Sequence, residues 1–193
     1  MNIILITTGL RPRMLEQTVQ SLVRNAVNRD AHTLTIVQDG YFTPRGIDCD
    51  QLNDELQECN SLIVNPNSLG ASRARNIGAA SIPKYLRQSH VMFIDDDVYM
   101  CPKWDQTLNA ALAVSGAWFV LSAHSHPFNI SPGKLFYQGD IHIDSAQVLS
   151  TVHMVMPWHV WDAVGWFAEP GGPGGSEDVD WCRRAREGEV QFG

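Results

Sequence analysis

Val91-Met92-Phe93-Ile94-Asp95-Asp96-Asp97 sets four apolar residues directly against three carboxylates. An unbroken apolar run of this kind is expected of a strand covered on both faces, as in a parallel sheet. The pattern recurs as Ile3-Ile4-Leu5-Ile6, Leu34-Thr35-Ile36-Val37, Leu62-Ile63-Val64 and Trp118-Phe119-Val120-Leu121. Helical spacing fills the intervals. Pro12 suits a first helical turn, and Leu15, Val19, Leu22 and Val23 follow it at helical spacing. Leu52, Leu56 and Cys59 predict a short helix, and the Ala-rich stretch from Gly70 to Ala80 predicts another. Trp104, Leu108 and Leu112 mark one more, with Pro102 near its start. Such βαβα order predicts an α/β fold with a mostly parallel central sheet flanked by helices on both faces.

The last third changes character. Ile141-His142-Ile143 and Val152-His153-Met154-Val155-Met156 alternate, which predicts a small antiparallel portion with one face partly solvated. Glu169-Pro170-Gly171-Gly172-Pro173-Gly174-Gly175 reads as a loop. Glu177 to Glu187 reads as a helix, with Ser176 as N-cap and Gly188 as C-cap. No linker divides the 193 residues, and the length suits one domain.

Composition narrows the function. Hydrophobic residues make up 44% and charged residues 18%, enough apolar material for a real core. Lys plus Arg number 14 against 21 Asp plus Glu, a formal charge of −7. That balance argues against non-specific nucleic-acid binding, which needs a basic surface. Cys49, Cys59, Cys101 and Cys182 form no Cys-x-x-Cys pair and read as reduced thiols. No apolar run approaches the roughly 18 residues of a membrane span. Together these features predict a soluble, cytoplasmic protein.

Ligands of parallel α/β sheets gather at the carboxyl ends of the strands. That rule directs attention to Thr7–Arg13, Asp39–Thr43, Pro66–Gly70 and Asp95–Val98. Asp95, Asp96 and Asp97 repel one another unless a cation or hydrogen bonds compensate. They are either oxygen ligands for a hard divalent cation or an acidic junction facing water. Glu177-Asp178 either complements a helix dipole or supplies a general base. Arg73 and Arg75, at the mouth of a helix, suit a diphosphate or a solvated helix face. Gly9-Leu10-Arg11-Pro12-Arg13 is a similarly placed loop, too irregular for a dinucleotide motif, and no Walker loop is present. His124-Ser125-His126 and the trio Trp158, Trp161 and Trp166 are read as structural or solvated, and His153 and His159 fit either reading.

The order of these pieces resembles family 2 glycosyltransferases of the GT-A (Rossmann-like) fold. Ile4-Leu5-Ile6-Thr7-Thr8 through Leu22 is similar to their opening strand and helix. Val37-Gln38-Asp39-Gly40 resembles the segment whose aspartate meets the nucleotide base. Leu69-Gly70 with Ala74-Arg75-Asn76 resembles the Leu-Gly…Ala-Arg-Asn signature, and Phe93-Ile94-Asp95-Asp96-Asp97 the Asp-x-Asp metal motif. Gly165-Trp166-Phe167 followed by Glu177-Asp178-Val179-Asp180 and Arg184 resembles the Gly-x-Phe…Glu-Asp ending. Three departures stand out: Gln38 where relatives carry an aspartate, Tyr41-Phe42 after Gly40, and no histidine beyond His159. The last is the expectation of a chain cut short at its C-terminus, or of a site completed by water or an upstream histidine.

The resemblance implies one GT-A domain over residues 1–193, with a nucleotide-sugar half at 1–121 and an acceptor and catalytic half at 122–193. It implies a sugar moved from a nucleoside diphosphate sugar, UDP favoured, to an acceptor hydroxyl with inversion. Mn²⁺ or Mg²⁺ would sit on Asp97 with help from Asp95. Thr7, Asp39, Arg73, Arg75, Asp95 and Asp96 would meet the donor, and Asp178, with Glu177 beside it, would be the catalytic base. Acceptor recognition falls to residues 122–147 and 169–175. A nucleotidyltransferase and a catalytically silent nucleotide-sugar or carbohydrate-binding module stand as the alternatives.

Overall fold

The computed structural model describes residues 1–8, 11–40, 59–122, 136–138, 141–143, 148–169 and 177–192. Strand β1 (Asn2–Thr7) is the centre of a five-stranded sheet. β2 (Thr33–Asp39) and β3 (Cys59–Asn65) follow on one side, and β4 (His90–Asp95) and β8 (His153–Pro157) on the other. The first four are parallel, as their apolar runs predict; β8 is antiparallel to β4. In register, Leu5 lies beside Ile36 and Ile94, and Thr7 beside Gln38. Parallel registers therefore bring Thr7, Asp39 and Asp95 out at the same edge.

Helices cover both faces. Side chains alternate along β1, so Ile3 and Leu5 enter one core and Ile4 and Ile6 the other. The first core packs α1 (Pro12–Asn25) and α3 (Trp104–Ser115) through Leu15, Leu22, Trp104 and Leu108. The second packs α2 (Ala71–Ser81), α4 (Trp158–Val164) and α5 (Glu177–Glu187) through Ala74, Trp161 and Trp181. Gly78 lets α2 lie close to the sheet, because a Cβ there would meet Ile4 Cγ2 at 2.5 Å.

Several local expectations change. Phe119–Val120 (β5) does not extend the parallel sheet; it pairs with β9 (Gln191–Phe192), and Leu121 forms a bridge with Val155 of β8. The antiparallel portion is as predicted in kind but split in two: β6 (Phe136–Gln138) pairs with β7 (Ile141–Ile143), while β8 joins the central sheet beside β4. β8 is buried along its whole length rather than half solvated, because β4 and Leu121 flank it and both cores press on its faces. Cys59 opens β3, so no helix reaches it, while Leu52 and Leu56 lie outside the described residues. Ser176, His124 and His126 also lie outside them. At the end of α5 Gly188 is the C-cap, as the sequence predicts, and the left-handed residue is the one after it, Glu189 (φ 63°). Its N–H donates to Arg186 O (3.0 Å) and that of Val190 to Ala185 O (3.0 Å), the paired closing bonds of a helix end with a left-handed residue just beyond the cap. Among the described residues, no helix is long and apolar enough to cross a membrane.

Candidate active site

The acidic triplet divides its labour. Asp96 is 1% exposed and turns inward. It accepts a hydrogen bond from Thr7 Oγ1 (2.6 Å) and an ion-paired one from Arg11 Nη2 (2.6 Å). Its carbonyl accepts from Thr18 Oγ1 (2.9 Å), which ties the end of β4 to α1. A buried carboxylate survives only with such partners. Asp97 and Asp95 are more open, with side chains 34% and 26% exposed. Arg11 Nη1 reaches Asp97 Oδ2 at 2.5 Å.

Asp95 is paired with Arg75, whose Nη2 lies 2.7 Å from Asp95 Oδ1. The same guanidinium directs Nη1 to Glu177 Oε1 at 3.4 Å. Arg75 is 2% exposed, and its Nε has no hydrogen-bond partner. It thus joins the end of β4 to the start of α5, two stretches more than 80 residues apart in sequence. Burial raises the Asp95 pKa above the ordinary carboxylate value, and the charges of Asp97 and Asp96 push the same way against Arg75. Asp178, one residue beyond Glu177, accepts from the N–H of Val179 (2.8 Å). Its pKa is also raised, first by burial and then by Glu177, while Arg75 pulls it down. The two acidic stretches therefore share one electrostatic neighbourhood.

Asp39 is buried and fully engaged by its own chain. Its carboxylate accepts from the N–H groups of Leu69 (2.9 and 3.0 Å) and Gly70 (2.8 Å), and from Ser68 Oγ (3.2 Å). It fixes the turn that opens α2, where Gly70 takes φ 88°. Arg73 lies half exposed on α2, 3.9 Å from Glu169. Trp158 and Trp161 are core residues, whereas Trp166 is 59% exposed. His153 is buried and His159 exposed.

Two residues make contacts that the sequence does not reveal. Asn76 forms a reciprocal pair with the backbone of Phe167, donating to its O (2.9 Å) and accepting from its N–H (3.0 Å). That locks the turn before α5 to α2. Arg11 is the other: its position after β1 was legible, its two carboxylate partners were not.

Asp95 and Asp97 offer oxygen donors, and Arg11 shows that this edge accepts a cation. Among the described residues, no group of three His, Cys, Asp or Glu side chains converges on a point. Mn²⁺- or Mg²⁺-type sites commonly use one or two carboxylates and complete their shell with phosphates and water, so this donor set fits.

No protein-family model matches the chain, and no curated protein matches it by sequence. Solved structures do. GalNAc-T7, determined with UDP, GalNAc and Mn²⁺, superposes with TM-score 0.76 at 10% identity, over 99% of this chain and 41% of that one. The Pyrobaculum calidifontis mannosyltransferase PcManGT, with GDP-Man and Mn²⁺, gives 0.72 at 11% identity over 99% and 53%. S. aureus TarS (residues 1–349) with UDP-GlcNAc gives 0.67 at 16% identity over 95% and 52%. The chain thus spans about half the length, or less, of these structures. Matches of this depth at such low identity define an architecture: the chain has the GT-A α/β fold.

Proposed function

We propose that the protein is a glycosyltransferase that moves a sugar from a nucleoside diphosphate sugar, preferentially a UDP-sugar, to an acceptor hydroxyl with inversion. The observation that carries this reading is the Arg75 bridge, which gathers Asp95 and Glu177, with Asp178 adjacent, at the carboxyl edge of the sheet. Support comes from the solved structures with the same fold, one holding UDP, GalNAc and Mn²⁺, one GDP-Man and Mn²⁺, and one UDP-GlcNAc.

In this reading Thr7 and Asp39 shape the floor for the nucleoside, and Asp96 anchors the end of β4 against it. Asp97, assisted by Asp95, would hold a divalent cation, Mn²⁺ or Mg²⁺. Such a cation, when bound, neutralises charge on the departing diphosphate. Arg73 lies at the surface available to the diphosphate. Arg75 is spent on carboxylates and acts as a positioning residue. Asp178 takes the proton of the acceptor hydroxyl as that oxygen bonds to the anomeric carbon. The bond from that carbon to the diphosphate oxygen breaks on the opposite side, and the diphosphate leaves with the electron pair. A base whose pKa is raised toward neutrality is better matched to this transfer. Residues 1–121 would carry the donor and 122–193 the acceptor and the base.

The test is a melting screen of UDP, GDP and their sugars with Mn²⁺, since a ligand of the native state raises Tm. UDP with Mn²⁺ should stabilise the wild type and fail to stabilise Asp97→Asn. Asp178→Asn should keep that stabilisation and lose transfer. Stabilisation by no nucleotide, or full transfer by Asp178→Asn, would refute the proposal.

A further inference from the structure

Arg11 occupies a position that the proposed chemistry leaves unexplained. It stands at the mouth of α1, immediately before Pro12, with its side chain 44% exposed. One guanidinium nitrogen is anchored on Asp96, which is itself fixed by Thr7. The other lies on Oδ2 of Asp97, the carboxylate assigned above to a divalent cation. A guanidinium and a metal ion cannot share that oxygen without strong like-charge repulsion. A phosphate oxygen, however, accepts a guanidinium N–H in the same planar geometry as a carboxylate.

We infer that Arg11 is a latch: in the nucleotide-free protein it withholds Asp97 from divalent cations, and an arriving diphosphate draws the Nη1 arm away from Asp97. The inference rests on the donor and metal reading above. The anchored arm keeps Asp96 neutralised throughout, so only the contact with Asp97 is exchanged. Cation and diphosphate then bind with positive coupling, part of which belongs to this side chain and not to direct metal–phosphate contact.

Mn²⁺ binding, followed by electron paramagnetic resonance of the free ion, reads the latch without turnover. Arg11→Gln keeps a donor for Asp96 and removes the competing charge. Without nucleotide it should bind Mn²⁺ about tenfold more tightly than wild type, within the usual range of coupling between sites. With saturating UDP the two proteins should agree within about threefold. Arg13→Gln, two residues along, controls for the general loss of positive charge and should shift nucleotide-free binding by less than about twofold. Arg11→Lys, which keeps the charge without the fork, should fall between wild type and Arg11→Gln. Far-UV circular dichroism reports folding of each variant. Equal shifts in Arg11→Gln and Arg13→Gln, or none in Arg11→Gln and Arg11→Lys, would overturn the latch while leaving Mn²⁺–UDP binding intact. Absence of Mn²⁺ binding by every protein, with and without UDP, would overturn the latch and the metal reading together.

Discussion

Replacing Arg75 by methionine keeps an unbranched stem of similar length up to the position of Nε and removes the charge that joins β4 to α5. Asp95 and Glu177, with side chains 26% and 13% exposed, would then face each other without a counter-ion. Breaking a buried pair by removing one partner typically costs about 3–5 kcal/mol. The partial exposure of Asp95 and the 3.4 Å reach to Glu177 place the expected loss near the lower end, about 3 kcal/mol. With a urea m-value of about 2 kcal/mol/M, the unfolding midpoint should drop by about 1.5 M. Tryptophan fluorescence is a suitable probe, since Trp161 and Trp181 are buried in the core that receives α5.

The pH dependence separates this account from a simple packing defect. In the wild type, burial already raises the Asp95 pKa while Arg75 pulls it down. Removing Arg75 leaves only raising influences. A carboxylate raised in the folded state destabilises at pH above that raised value, and the penalty is relieved as pH falls through it. The gap between wild type and Arg75→Met should therefore narrow as pH falls from about 7 toward about 4. Arg75→Lys should lose about half as much, because a point charge cannot fork between two carboxylates. A loss under about 1 kcal/mol at neutral pH, or one independent of pH, would refute the reasoning. Loss of UDP affinity without loss of stability would instead make Arg75 a direct donor contact.

Gly78→Ala should destabilise by about 1–2 kcal/mol in the same urea assay, since the added methyl meets fully buried Ile4 at 2.5 Å and this overpacking outweighs the helix preference for alanine. A gain in stability would mean that α2 stands further from the sheet. For Asp178, the raised pKa means that kcat/KM should climb with pH through a value above the ordinary carboxylate range, because the base works only when deprotonated. Stability should change the other way: the folded protein binds the extra proton in that window, so the contribution of Asp178 falls as pH rises. Asp178→Asn should abolish both dependences.

The parallel sheet was legible because Ile3–Ile6, Leu34–Val37 and Val91–Ile94 are apolar on both faces, and only burial between helix layers accounts for that. The antiparallel direction of β8 was legible in its alternation, but pairing partners were less so: β8 lies beside β4 and the apolar β5 pairs with β9, since hydropathy reports burial and not which strand lies alongside. At the site, the residue types and their place at strand ends were legible. Their partners were not: Arg11 meets Asp97 across 86 positions and Arg75 meets Glu177 across 102, distances over which no local pattern carries information. Asp39 likewise reads as a ligand contact, while its partners in the turn before α2, the N–H groups of Leu69 and Gly70, lie about 30 positions away and leave no local mark.

Residues 164–167 hold the chain together in an unexpected way. Arg184 donates to the carbonyls of Val164 and Trp166 (both 2.6 Å), Trp181 to that of Gly165 (2.9 Å), and Asn76 clasps Phe167. α5 is thus docked through its own side chains onto a turn that α2 holds from the other side. The turn that carries Glu177 and Asp178 is therefore placed by contacts made further along the same helix.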